Sequence, residues 1–177
     1  VNREDGFVGM ALKKDEYVGM CSDIDDIIVF REDGKFLVTK VNGKVFVGKN
    51  ILHVDVFKKG DDRTVYNLVY RDGLKGNSYV KRFAVTGVTR DKEYEFASNA
   101  KGAKILYFSA NPNGEAELLR ITLRPNPKLK KPIFDFDCSD LAIKGRGSKG
   151  NILSKKPIAK IIKKEDGVST LGAIDIW

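Results

Sequence analysis

The sequence predicts an all-β chain, a propeller-like ring of four-stranded units, on three observations. Apolar and β-branched runs of four to eight residues follow one another, broken by Gly, Asp and Asn, and no useful stretch carries the 3.6-residue period of an amphipathic helix. A strand–turn–strand unit recurs along the chain. Its turn glycines, Gly34, Gly76, Gly114 and Gly150, are spaced by 42, 38 and 36 residues, which leaves room for a second strand pair in each unit. Units of this kind bury their faces on their neighbours in propeller-like rings. A two-sheet sandwich also gives short strands with regular turns; the ring is preferred because the whole unit repeats.

The elements follow in order. Ile27-Ile28-Val29-Phe30, a turn at Glu32-Asp33-Gly34, and Phe36-Leu37-Val38-Thr39-Lys40 read as a hairpin, because Asp-Gly supplies the positive φ of a tight turn. Val65-Tyr66-Asn67-Leu68-Val69-Tyr70 and Tyr79-Val80-Lys81-Arg82-Phe83 flank a loop with Asp72-Gly73 and Gly76. Ile105-Leu106-Tyr107-Phe108 and Leu118-Leu119-Arg120-Ile121 flank Asn111-Pro112-Asn113-Gly114. Leu141-Ala142-Ile143-Lys144 and Asn151-Ile152-Leu153-Ser154 flank a glycine-rich turn ending at Gly150. Each second strand carries a base, Lys40, Arg82, Arg120 and, just past the strand, Lys155. At matching places, these four would line one rim of successive units.

The chain has 177 residues, 42% of them hydrophobic, and a net charge of +8. That excludes a disordered tail, and no run approaches the roughly 20 apolar residues of a membrane helix. There is no signal peptide at the start. With no initiator Met and an end at Trp177, the chain reads as a piece of a longer polypeptide. Residues 1–60 carry ten Lys/Arg against ten Asp/Glu, and residues 61–120 ten against eight; residues 121–177 carry twelve against six. A concentrated basic excess attracts polyanions by field and counterion release, so nucleic acid is the leading partner, against a merely solubilising surface.

Catalytic and metal-binding patterns fail on inspection. Cys21 and Cys138 lie far apart and make neither a disulfide framework nor a zinc site; small core residues are expected. His53, the only histidine, sits between Leu52 and Val54 and reads as a strand residue. Gly145-x-Gly147-x-x-Gly150 has the spacing of a dinucleotide fingerprint, but Asn151-Ile152-Leu153-Ser154 follows where a helix is required. It is no phosphate loop either, because Lys-Ser/Thr does not follow. As a DNA-contacting turn it fits better than as a plain surface loop: glycines admit close backbone approach to phosphate, and Lys144, Arg146 and Lys149 bring charge. Asp135-x-Asp137-x-Ser139-Asp140 lacks the Gly and Glu of a calcium loop, since Asp140 and Arg146 stand there. Asp23, Asp25 and Asp26 could form an acid–base pair, but no nucleophile or metal ligand accompanies them.

Gly6-Phe7-Val8-Gly9-Met10-Ala11-Leu12-Lys13-Lys14-Asp15-Glu16, then Asp25-Asp26-Ile27-Ile28-Val29-Phe30 and Gly34, resembles one blade repeat of the gyrase A/topoisomerase IV A C-terminal domain. Tyr79-Val80-Lys81-Arg82-Phe83 and Asn111-Pro112-Asn113-Gly114-Glu115-Ala116-Glu117 are similar to the matching parts of topoisomerase IV A subunits of the Bacteroides type. The resemblance covers essentially the whole chain. It implies a β-pinwheel of about four blades in a single domain over 1–177, with repeats roughly at 6–47, 48–88, 89–129 and 130–166. It also implies a basic rim that holds and bends duplex DNA for the cleavage core.

The gyrase-type box (Gln, two bases, two glycines, a base and a glycine) has its nearest match in Lys144-Gly145-Arg146-Gly147-Ser148-Lys149-Gly150. Ser148 replaces a glycine there, and Lys144-Gly145 does not fit the opening pair. The match also falls late in the chain, whereas the family's box belongs to the first blade. Topoisomerase IV is therefore favoured over gyrase.

The expected function is a non-catalytic DNA-binding and DNA-bending module; the alternative is a propeller-like protein-interaction scaffold with a basic surface. Expected DNA contacts are Lys40, Arg82, Arg120, Lys144, Arg146, Lys149, Lys155 and Lys156. No cofactor is expected in this domain, the holoenzyme using ATP and Mg2+. Expected partners are duplex DNA, the topoisomerase B subunit, and the remainder of the A subunit, with no membrane, in the bacterial cytoplasm at the nucleoid.

Overall fold

A computed structural model describes residues 1, 3–4, 6–9, 26–40, 44–58, 63–74, 76–98, 100–112, 114–125, 127 and 132–169, without the side chains of 9, 44, 45 and 166–169. Met10 to Glu16 of the blade-like run, Cys21, Asp23, Asp25 and Asn113 lie outside the described residues. The described chain is all-β apart from one 3-10 turn, Cys138–Asp140. Its strands are β1 (Phe7–Gly9), β2 (Asp26–Arg31), β3 (Lys35–Lys40), β4 (Lys44–Phe46), β5 (Ile51–Phe57), β6 (Val65–Arg71) and β7 (Ser78–Ala84). There follow β8 (Tyr94–Glu95), β9 (Lys104–Asn111), β10 (Glu115–Leu123), β11 (Ile133–Asp137), β12 (Ile143–Gly145), β13 (Asn151–Ser154) and β14 (Ile158–Ser169). Two compact units result, one of residues 1–61 with 86–99 and one of residues 62–85 with 100–177. No helix among the described residues is long and apolar enough to cross a membrane.

In the first unit the sheet order is β5-β2-β3-β8, and β1 pairs with β4. The expected hairpin is present as β2 and β3, with Ile28 opposite Val38 and Phe30 opposite Phe36. Its turn glycine, Gly34, has φ 85°, and the Asp33 carboxylate accepts from the Lys35 amide (3.2 Å). Val8, Ile27, Val29, Val47, Ile51 and Val54 form the core. Phe96 meets Phe30 edge-on with ring centroids 5.1 Å apart. Arg31 is buried, and its guanidinium donates to the Val47 carbonyl (2.9 Å) and ion-pairs with Glu93 (2.7 Å) and Asp33 (2.9 Å). His53 lies on β5, as a strand residue.

The second unit holds a sheet in the order β12-β7-β6-β9, with β13 also on β7, and a three-stranded sheet, β11-β10-β14. The β6–β7 hairpin is the expected one, with Val69 opposite Val80 and Tyr70 opposite Tyr79. Gly76 in its loop is obligatory, because a Cβ there would lie 1.7 Å from the Asp72 carbonyl oxygen. The other two expected hairpins need correction. β9 and β10 are joined by the expected turn, where the Gly114 amide donates to the Asn111 carbonyl (3.1 Å), but β9 pairs with β6 whereas β10 pairs with β11 and β14. Leu119, Ile121 and Leu123 of β10 pack face-on against Val69 and Val80 of β6 and β7, together with Cys138 and Ile158. Sheet-on-sheet burial takes the place of a ladder. β12 and β13 do not pair with each other either; both add to β7, β12 parallel and β13 antiparallel.

Cys138 sits in that inter-sheet core with no exposed surface. Burial, with the negative Glu117 nearby, pushes its thiol up to about 12. The thiolate is the reactive species, so iodoacetamide should leave Cys138 unmodified in the folded chain and alkylate it only after denaturation, as read by mass spectrometry.

Candidate nucleic-acid interface

The second unit gathers three of the expected cations at one turn, Lys144 on the strand that leads into it and Arg146 and Lys149 within it. β12 runs along β7 with Lys144 opposite Phe83 and Gly145 opposite Ala84, and β13 continues along it with Asn151 opposite Val80. The 145–150 turn therefore begins and ends on one strand. Within it the Ser148 amide donates to the Gly145 carbonyl (3.1 Å). Gly150 lies so close to β7 that a Cβ would stand 2.7 Å from the Val80 carbonyl oxygen, and its amide donates to the Tyr70 hydroxyl (3.2 Å). The Lys81 ammonium donates to the Arg146 carbonyl (2.6 Å).

The cations are held in different ways. The Lys144 ammonium donates to Asn151 Oδ1 (3.1 Å) and the Lys149 carbonyl (3.4 Å). Lys149 lies over the Tyr79 ring, 4.8 Å from its centroid, and 3.8 Å from the Asp72 carboxylate; the Tyr79 hydroxyl and the nearby acidic groups raise its pKa. Tyr79 stacks on Tyr70 at 5.5 Å, and burial raises the Tyr70 pKa. Lys81 is lowered to about 8 by burial and by the positive Lys144. A cationic turn tied to a sheet strand is suited to phosphate oxygens, which accept hydrogen bonds and carry charge but no base sequence.

The remaining expected contacts are dispersed. Lys40 is exposed at the end of β3 in the first unit. Arg120 lies mid-strand on β10 and pairs with Asp135 (3.2 Å), which Lys164 also reaches (2.8 Å); these two donors hold the Asp135 carboxyl below its ordinary value. Lys155 and Lys156 are exposed between β13 and β14, where the Ser154 hydroxyl accepts from the Lys156 amide (3.0 Å).

Arg82 is the correction among them. It is 2% exposed, and its guanidinium donates to the Gly114 carbonyl (2.9 Å), Asn67 Oδ1 (3.2 Å) and the Leu141 carbonyl (3.4 Å). From there it braces the fold and cannot reach a duplex. Asp135 and Asp137 of the calcium-like stretch are likewise in structural use. Asp137 caps the 3-10 turn by accepting from the Ser139 amide (2.9 Å).

Sequence reasoning missed the exposed lysines of β14, Lys160, Lys163 and Lys164. Their signal was the run Lys160-Ile161-Ile162-Lys163-Lys164, an apolar pair between bases.

A family described as topoisomerase C-terminal domain, Bacteroidota, matches residues 1–166. The chain belongs to this family. The A subunit of DNA topoisomerase 4 from Borreliella burgdorferi (strain ATCC 35210 / DSM 4680 / CIP 102532 / B31) is 26% identical over 162 residues, which is 91% of this chain. The chain spans about a quarter of that protein, 24% of its length. The resemblance to the C-terminal domains of topoisomerase A subunits is borne out by both matches, and the topoisomerase domain carries its clasped basic turn late in the chain, on the edge of β7.

Proposed function

We propose that this topoisomerase C-terminal domain is the non-catalytic DNA-binding part of a topoisomerase IV-type A subunit. In this reading it forms a β-pinwheel with repeats near 6–47, 48–88, 89–129 and 130–166, and presents duplex DNA to the cleavage core. Strand passage itself belongs to a holoenzyme that uses ATP and Mg2+ in the bacterial cytoplasm, with the B subunit as its other part. The observation that carries the proposal is the family match over residues 1–166; the clasped basic turn supplies the chemistry. Lys144, Arg146 and Lys149 meet phosphates at the turn, Arg120, Lys155 and Lys156 add contacts in the second unit, and Lys40 offers a separate contact on the first. Arg82 has no part in it, because its guanidinium is enclosed.

Phosphate contacts release condensed counterions, so binding must weaken as salt rises. If about six phosphates are neutralised, a log–log plot of affinity against salt should have a slope of roughly −5. Fluorescence anisotropy on a short duplex between roughly 50 and 200 mM salt measures it. A slope near zero, or binding no tighter than that of an unrelated protein of equal charge, would overturn the reading in favour of a protein-interaction scaffold. Religation of nicked plasmid in the presence of the chain should leave the linking number unchanged. The broken glycine–base box, with Ser148 where a glycine belongs, argues against tight chiral wrapping.

A further inference from the structure

We infer that Tyr70 and Lys81 are positioning residues for DNA binding: they fix the 145–150 turn so that its cations face phosphate, and touch no phosphate themselves. The inference rests on the reading of that turn as the DNA contact. Both residues belong to the β6–β7 hairpin and are buried, Tyr70 at 3% exposure and Lys81 at 3%. The Tyr70 hydroxyl holds the far end of the turn through the Gly150 amide. The Lys81 ammonium holds its near half through the Arg146 carbonyl. Between these anchors stands Gly147, where a Cβ would meet nothing within 4 Å; just before them is Gly145, where it would meet only the Ser148 hydroxyl at 3.9 Å.

An open glycine-rich turn is conformationally free unless something ties it down, and ordering it on contact with DNA would cost affinity. The two anchors spend that ordering at folding instead. Lys81 adds a second indication. Its ammonium is taken out of water beside another cation, Lys144, a placement that an apolar side chain of similar length would improve for stability alone. The ammonium lies over the Phe83 ring, 4.8 Å from its centroid, and holds a carbonyl of the DNA-contacting turn.

The test is a set of variants of the intact chain, Tyr70→Phe and Lys81→Met, each alone and combined with a neutralised turn (Lys144→Gln, Arg146→Gln and Lys149→Gln together). Phenylalanine keeps the stack on Tyr79 and removes only the hydroxyl. Affinity for a short duplex, its salt slope and thermal unfolding are measured for each. Each anchor substitution alone should weaken DNA binding about 3- to 10-fold. The salt slope should stay unchanged, and Lys81→Met should unfold at no lower temperature than the parent. On the neutralised turn neither should weaken binding further. Amide exchange at Ser148 and Gly150 should quicken in the single variants, a readout that does not depend on DNA.

Wild-type affinity with unquickened exchange would overturn the inference. So would an equal loss of affinity on the neutralised turn, since the anchors would then act through the fold at large. Failure of the underlying reading shows separately, as wild-type affinity and salt slope in the neutralised-turn variant without any anchor change.

Discussion

Arg82→Ala should destabilise the second unit by at least about 3 kcal/mol, measured by urea or thermal unfolding. Truncation removes donors from Asn67 Oδ1 and from the Gly114 and Leu141 carbonyls at once. A buried acceptor that loses a charged donor costs on the order of 1–3 kcal/mol, and the vacated volume adds a cavity term. The effect spreads, because Asn67 also donates to the carboxylate of Glu117 (3.2 Å). Glu117 is itself buried, and it accepts from the hydroxyls of Tyr107 and Ser109. Strands β6, β7, β9 and β10 thus share one polar network across two sheets.

Lysine at position 82 offers a point charge in place of a planar fork and should recover only part of the loss. Arg82→Met refills part of the vacated volume and should be less damaging than Arg82→Ala, but it restores none of the three donors and should stay well short of the parent. A loss below about 1 kcal/mol for Arg82→Ala would mean that the network is not a brace.

The same residue marks where sequence reading stops. Lys81 and Arg82 are adjacent in Tyr79-Val80-Lys81-Arg82-Phe83, and on a half-exposed strand successive side chains face opposite ways. One of the two would then be solvated, and the period of two says no more than that. β7 is covered on both faces, its residues from Ser78 to Phe83 all buried, so both cations end inside.

The legible parts were those set locally. Asp33-Gly34 dictates a tight turn, and the β2–β3 hairpin follows from it; β6 and β7 are paired as their apolar runs suggest. The turn after β9 was also legible, but an apolar run does not say whether the next strand extends the same sheet or stacks on it. Leu119 and Ile121 stack. β14 pairs with β10, a strand far back in the chain, and no local turn signal dictates that partnership. Much of the turn was legible from glycines and charges within seven positions, 144–150. Its anchors were not, since Lys81 and Tyr70 lie 65 and 80 residues away from the groups they hold.

Raising the pH from neutral should stabilise the protein through Lys81, against the expectation for a salt-bridged lysine. In the folded chain its pKa is about 8, lowered from 10.5 by burial and by Lys144. Below pH 8 the group is charged in both folded and unfolded states, and the folded state carries the full cost of enclosing the charge. Between pH 8 and about 10.5 the unfolded chain holds the proton that the folded chain has released. Stability rises wherever the unfolded state binds more protons.

Other lysines titrate in the same range, so the quantity to measure is a difference. Lys81→Met, which has no proton to lose, should exceed the parent in stability by the widest margin near pH 7, and that margin should shrink as pH approaches 10. A margin that stays constant with pH would place the Lys81 ammonium in water. If the margin shrinks while Lys81→Met binds DNA more weakly at pH 7, the two measurements meet in one residue. The chain then keeps a buried charge at the expense of stability because that charge holds the 145–150 turn in place.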